Sequence, residues 1–229
     1  MNLPNALTIG RIAITPLVAV LPFVNGSTVR AIAFGLFVIA AVSDYVDGYL
    51  ARRENLITDL GKWLDPLADK LLLLGTFVPM YYLMRGVPVL QHAGLPIPPD
   101  GRFPTLLASM WLSLPLWVVL VVLGREAFMT VFREIAKRKG VVISSIGPAK
   151  WKTTFQSVWI GAAYCWFFTA TLARERGWGG SWWSAFAQFN GAVVALSMCA
   201  AVALTLWSLG LYVQRYGSII AAPTRSHAG

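Results

Sequence analysis

Acidic side chains are scarce in this chain: ten Asp and Glu stand against nineteen Lys and Arg, and charged residues of both signs make up only 13% of 229 positions. So little charge, beside 57% hydrophobic residues and a mean hydropathy of +0.63, excludes the composition of an ordinary soluble domain. Cysteine and histidine are nearly absent. Cys165 and Cys199 lie in apolar runs and read as small buried thiols, while His92 and His227 have no metal-ligand company, so nothing suggests a soft-metal site. The net charge of +9 invites a nucleic-acid reading, but the apolar content and the lack of a binding motif argue against it. No internal repeat, low-complexity tract or soluble domain is visible.

What the chain has instead is apolar runs of roughly 20 residues, long enough to cross a hydrocarbon core of about 30 Å as helices. Lipid admits only helices and closed barrels, and these runs lack strict alternation, so they read as helices. The expectation is an all-α polytopic membrane protein with six transmembrane helices, at about 7–24, 29–51, 64–84, 105–130, 153–173 and 187–211. The opening NLPNALTIGR is polar, carries its Arg inside the segment and is followed by no clear small-residue cleavage site, so the first run is expected to stay in the mature protein. The stretch 86–104, rich in Pro and Gly, reads as an external loop. Residues 1–216 are expected to form one membrane domain and 217–229 a disordered tail. Tryptophans near span ends, such as Trp178, Trp182 and Trp183, read as interfacial anchors.

Six spans place both termini on one side together with 52–63 and 131–152. Those segments hold Arg52, Arg53, Lys62, Arg133, Lys137, Arg138, Lys139, Lys150 and Lys152. The positive-inside rule makes that side cytoplasmic. A basic face there attracts anionic headgroups and phosphorylated substrates.

Six of the ten acidic residues fall between Asp44 and Asp69, in DYVDGYLARRENLITDLGKWLDPLAD. Carboxylates at membrane depth are expensive, and such a cluster is by default a functional site. Asp44 and Asp47 are three apart, Asp65 and Asp69 four apart, so each pair lies on one helical face. The turn between them centres near residue 56, and counting outward brings the four carboxylates to similar depths on an antiparallel pair. The nearby Arg52, Lys62 and Lys70 do not balance four negative charges, whereas two divalent ions would. Hard oxygen ligands suit Mg²⁺ or Mn²⁺, which combine carboxylates with phosphate oxygens. Gly48 and Ala51 leave room beside the helix, and Arg52 offers a planar donor array for phosphate.

Written out, D44-x2-D47-G48-x2-A51-R52-x8-G61-x3-D65-x3-D69 resembles, without a mismatch, the signature of the CDP-alcohol phosphatidyltransferase family. The resemblance implies a six-helix membrane enzyme, usually a homodimer, that transfers a phosphatidyl group from a CDP-linked lipid to an alcohol and releases CMP. Carried over by position, it makes Asp44, Asp47, Asp65 and Asp69 ligands of two divalent cations, Asp69 also the general base, and Gly48, Arg52 and Thr58 contacts to CDP-diacylglycerol.

Two further blocks bear on the acceptor. The opening NLPNALTIGRIAITP is similar to the amino-terminal segment of the family's phosphatidylglycerophosphate synthases, where an interfacial Asn-Pro turn leads into the first helix. Residues 124–156, GREAFMTVFREIAKRKGVVISSIGPAKWKTTFQ, are similar to that subfamily's later region, although Gly147-Pro148-Ala149 precedes Lys150 where Gly commonly stands directly before it. These blocks imply sn-glycerol 3-phosphate as acceptor, its phosphate bound by Arg125, Arg133, Lys150 and Lys152, in the plasma membrane of a bacterium with the active site facing the cytoplasm. Arg125 and Arg133, eight apart, lie near one helical face. Lys137, Arg138 and Lys139 read as a surface run, with Glu134 able to pair with Arg138, and Glu126 and Glu134 as residues that orient the cations. The competing readings are a sibling enzyme using inositol phosphate, phosphatidylglycerol or serine, and a divalent-cation transporter. A transporter would favour carboxylates at the midplane or on broken helices, and an ion path does not require Gly48, Ala51 and Arg52.

Overall fold

A computed structural model of the chain describes residues 3–53, 59–85, 103–104, 111–112, 114–141, 143 and 147–221. Thr58, the turn centre near 56, His92 and His227 lie outside the described residues. Among those described there are six α-helices: α1 (Leu3–Val20), α2 (Ser27–Arg53), α3 (Asp59–Arg85), α4 (Leu116–Arg138), α5 (Gly147–Glu175) and α6 (Ser181–Ala221). A 3₁₀ turn, Leu21–Phe23, follows α1, and strands β1 (Phe103–Pro104) and β2 (Trp111–Leu112) form a two-residue antiparallel ladder with Phe103 opposite Leu112. The regular structure among the described residues is therefore all helical apart from that ladder.

Among the described residues four segments, not the six expected, are long and apolar enough to cross a membrane, Asn5–Phe23, Ser27–Gly48, Trp63–Met84 and Ser181–Gly217; the expected spans 105–130 and 153–173 are not among them, and the four make this a multi-pass membrane protein. Leu17, Val20, Ile39, Val42, Leu120, Phe189, Leu196 and Trp207 lie exposed on helix surfaces, the arrangement lipid favours and water does not.

Several helix boundaries differ from expectation. The fourth helix starts at Leu116, not 105, because Pro115 has no amide to donate back one turn and holds Leu114 out of helical geometry. The last helix runs through Ser181–Ala221, 41 residues and about 60 Å. It covers 217–221 of the stretch expected as a tail, since no proline interrupts it. At the amino end, the Asn-Pro segment expected as an interfacial turn is already helical from Leu3, with Pro4 in the first turn where its missing amide costs nothing. Pro148 likewise stands in the first turn of α5, which begins at Gly147.

The chain forms two compact units, Met1–Pro115 with Ser157–Ala195, and Leu116–Gln156 with Leu196–Gly229. In the first, α1 packs on both α2 and α3. Its buried face is polar: Asn5, Thr8, Arg11 and Thr15 recur at intervals of three, three and four residues, the helical period, and all are buried. Tyr164 donates to the Val18 carbonyl at 3.2 Å and stacks on Phe37 at 5.6 Å, while Trp159 meets the edge of Phe77 at 4.8 Å. Gly75 lets α3 approach α1, because a Cβ there would stand 2.9 Å from Thr15 Cγ2. Thr15 cannot easily turn away, since its hydroxyl donates to the Arg11 carbonyl at 2.8 Å. At the start of α2, Glu175 accepts from the Ser27 amide at 2.8 Å and from the Ser27 hydroxyl, capping a helix remote in sequence.

In the second unit, Met129, Phe132 and Tyr212 are buried together, with Ile143, Leu209 and Tyr216 against them. Helix α4 closes with the Val141 amide on Ala136 O at 2.9 Å and the Gly140 amide on Lys137 O at 3.0 Å. Gly140, at φ 74°, supplies the left-handed residue this ending needs.

Two outcomes follow, both read by thermal unfolding in detergent. Gly35→Ala meets nothing within 4 Å and should stabilise by about 0.5–1 kcal/mol through helix propensity, whereas Gly75→Ala should destabilise by about 1 kcal/mol or more against Thr15. The hydrogen bonds from the Ser27 hydroxyl and amide hold the Glu175 carboxyl below its ordinary value. Its stabilising contribution is complete above the ordinary value of about 4.3 and is lost as pH falls through the lower folded value, so Glu175→Gln should remove that acid-dependent step.

Candidate active site

The acidic hairpin closes around a residue from neither of its helices. Arg11, on α1, places Nη1 2.5 Å from Asp44 Oδ1 and 3.0 Å from Asp69 Oδ1, and Nη2 in contact with Asp47 Oδ2. Thr8, one turn earlier on the same face, donates to Asp65 Oδ1 at 2.8 Å and stands 3.4 Å from Asp47 Oδ2. Two residues of α1 thus touch all four aspartates predicted from the signature. The two pairs, expected from their spacing to lie at similar depths, meet around side chains of α1.

Burial is graded across the cluster. The side chain of Arg11 is 1% exposed and that of Asp47 7%, whereas Asp44 is 45% and Asp69 59% exposed. The cluster therefore has a closed floor, made by Asp47, Arg11 and Thr8, and an open side where Asp44 and Asp69 meet solvent. Four carboxylates and one guanidinium sum to −3, a large residual charge for a site at the end of two apolar segments.

The donor set is entirely carboxylate and hydroxyl oxygen, which fits a hard divalent cation. The present side-chain arrangement does not enclose one. Among the described residues no group of three or more Asp, Glu, His or Cys is placed to hold a metal ion, and the Arg11 guanidinium bonds to the carboxylates instead. The residues fit such an ion by chemistry; binding it requires the carboxylate oxygens that face Arg11 to turn.

The other residues named from the sequence fall as follows. Gly48 is half-buried on α2 beside Asp47. Arg52 and Lys150 lie on α2 and α5, with their side chains outside the described set. Within the second unit, Arg125 and Lys152 are buried and joined through one carboxylate: Glu126 Oε1 accepts from Arg125 Nη1 at 2.9 Å and from Lys152 Nζ. Arg125 Nη2 also donates to Ser208 Oγ at 3.2 Å, so α4, α5 and α6 meet at this cluster. Glu126, expected to orient these cations, bonds Arg125 and Lys152. Arg133 lies over the Tyr212 ring at 6.0 Å, and Arg138 pairs with Glu134 at 3.2 Å on the surface as the i,i+4 spacing predicts.

Thr8 and Arg11 were missed. The sign of them was present, since an Arg inside an apolar span is itself a functional candidate, and Asn5, Thr8 and Thr15 share its face.

The family model for CDP-alcohol phosphatidyltransferases matches residues 1–207, and the chain belongs to that family. A CDP-diacylglycerol–glycerol-3-phosphate 3-phosphatidyltransferase of Rickettsia typhi is 51% identical over 71 residues, 31% of this chain and 40% of that protein. The chain thus matches about two fifths of the length of its Rickettsia relatives. An enzyme of the same name from Bacillus subtilis is 31% identical over 173 residues, covering 70% of this chain and 75% of its own length. A cardiolipin synthase (CMP-forming) of Oryza sativa subsp. japonica is 34% identical over 162 residues, 68% of this chain and 43% of that protein.

The burial gradient separates two aspartates that the signature treats alike. Asp47→Asn leaves a buried guanidinium without its closest anion and should cost about 3 kcal/mol in ion-free protein. Asp44→Asn, half-exposed and relieving repulsion, should stay within about 0.5 kcal/mol. Thermal unfolding in chelator-treated detergent solution measures both.

Proposed function

We propose that the protein is a phosphatidylglycerophosphate synthase. It transfers the phosphatidyl group of CDP-diacylglycerol to sn-glycerol 3-phosphate and releases CMP, a step in phospholipid biosynthesis. The observation that supports the reading is the convergence of Asp44, Asp47, Asp65 and Asp69 from α2 and α3 around Arg11 and Thr8 of α1. Relatives that bear this activity in their names support the choice of substrates.

The four aspartates would hold two divalent cations, Mg²⁺ or Mn²⁺, which when bound polarise the attacked phosphorus and offset charge on departing CMP. The chain's own groups do the rest. Gly48, Arg52 and Thr58 contact the CDP-lipid, Gly48 by letting the diphosphate come close to backbone. Asp69, the most exposed of the three aspartates that bond Arg11, takes the proton of the attacking hydroxyl. As that oxygen bonds to the phosphatidyl phosphorus, the bond from phosphorus to the CMP oxygen breaks and CMP leaves with the electron pair. Arg125, Arg133, Lys150 and Lys152 bind the acceptor's phosphate, which a neutral alcohol would not need. Glu126 fixes Arg125 and Lys152 so that their remaining donors have a set direction.

The assignment extends to the chain as a whole: six helices crossing a bacterial plasma membrane, both termini and the active site cytoplasmic, residues 1–216 acting as one catalytic domain in a homodimer. The basic segments 52–63 and 131–152 support that orientation.

Purified protein with labelled CDP-diacylglycerol and a panel of acceptors tests the reading. Wild type should release CMP with sn-glycerol 3-phosphate, and Asp69→Asn should lose at least about 10²-fold in turnover, the range general-base removal gives, while still binding CDP-diacylglycerol. Product only with inositol phosphate, phosphatidylglycerol or serine would overturn the acceptor, and full activity after rigorous chelation would overturn the two-cation site.

A further inference from the structure

Arg11 answers a problem that the proposed ion site creates for itself. Four carboxylates gathered in a site with a buried floor repel one another whenever ions are absent, and the protein must fold and persist in that state. A guanidinium stays charged in any such environment, so it cannot escape its burial by losing a proton. Among the described residues its terminal nitrogens bond the acidic cluster: Asp44, Asp47 and Asp69. Thr8 supplies the fourth carboxylate, Asp65, with a hydrogen bond from the same face of α1.

The guanidinium also uses the oxygens an ion would need. Asp44 Oδ1, Asp47 Oδ2 and Asp69 Oδ1 are its acceptors, and although each oxygen keeps a second lone pair, the guanidinium charge beside them repels a cation brought to the same oxygens. Arg11 and a cation coordinated by those oxygens are therefore alternatives. Its hold is incomplete as well, since Nε is buried with no hydrogen-bond partner among the described residues. A group fully tied at all its nitrogens would be harder to displace.

We propose that Arg11 is a resident counter-cation: it holds the acidic hairpin assembled in ion-free protein and competes with divalent cations for the same carboxylate oxygens, so that ion binding displaces it. The inference rests on the reading that these aspartates bind divalent ions. It assigns Arg11 a positioning role toward the site and no chemical step.

The test uses the full chain in detergent, freed of metal, and titrates Mn²⁺ against wild type, Arg11→Met and Arg11→Lys. Free Mn²⁺ is read by electron paramagnetic resonance and stability by thermal unfolding. Removing the cation that, among the described residues, bonds three of the four carboxylates should lower the ion-free melting temperature of Arg11→Met by about 10 °C. Saturating Mn²⁺ should restore most of that loss. The Mn²⁺ dissociation constant should tighten about tenfold or more as the competing charge disappears, with Arg11→Lys between the two. Adding Asp44→Asn to Arg11→Met should recover part of the ion-free stability. If Arg11→Met cannot be obtained free of metal, Arg11→Lys carries the same comparison.

A fall in melting temperature with unchanged or weaker Mn²⁺ affinity would make Arg11 a structural residue only and overturn the competition. Equal affinity and equal ion-free stability in wild type and variants would overturn the inference while leaving the ion site standing. Absence of Mn²⁺ binding in every protein would overturn the ion site and this inference with it.

Discussion

The geometry of the acidic site depends on one buried guanidinium that reaches carboxylates on two other helices. Arg11 sets the depth of α1 against α2 and α3, because its two terminal nitrogens must meet Asp44, Asp47 and Asp69 together. Helix association in lipid gains little from apolar surface, since the tails outside are as apolar as the side chains within, and polar contacts and close packing must supply the specificity. Both are present on α1. The stripe from Asn5 to Thr15 provides the polar contacts, and Gly75 provides a notch where α3 closes on Thr15.

A soluble helix of this kind would turn its apolar residues inward. Here Leu3, Ile9, Leu17 and Val20 face out and the polar residues face in, so the usual relation between hydropathy and burial is reversed along one element. The reversal explains how so few charged residues suffice. The charges of the described clusters meet a partner of opposite sign, at Arg11 in one unit and around Glu126 in the other. Glu126 makes two cations tolerable in a buried place, because one carboxylate bonds both.

The hairpin was legible because its information is local. Intervals of three and four residues place Asp44 with Asp47 and Asp65 with Asp69, and the two pairs lie close in sequence, so no long-range contact had to be inferred. Arg11 was equally visible as a letter, but the mean hydropathy of its segment, 1.8, averages a polar stripe into an apolar run. Only the intervals between Asn5, Thr8, Arg11 and Thr15 disclose it. The start of α4 was misplaced because an apolar stretch before Pro115 looked like a continuation of the helix, and backbone chemistry, not hydropathy, decides that boundary. The link between Glu126 and Lys152 spans 26 residues and two helices, and no local interval announces it.

The placement of Arg11 has a consequence for how the chain is made. Helix α1 is synthesised before its counter-charges, which follow 33 residues later at Asp44 and 58 later at Asp69. At about 5–20 residues per second, the guanidinium waits roughly 3–12 s before the last of them exists. Until Asp44 is made, roughly 2–7 s at that rate, α1 carries a charge that no carboxylate of the site can meet. Its stable residence in the bilayer is therefore a late event, completed only when the hairpin that follows arrives to receive it.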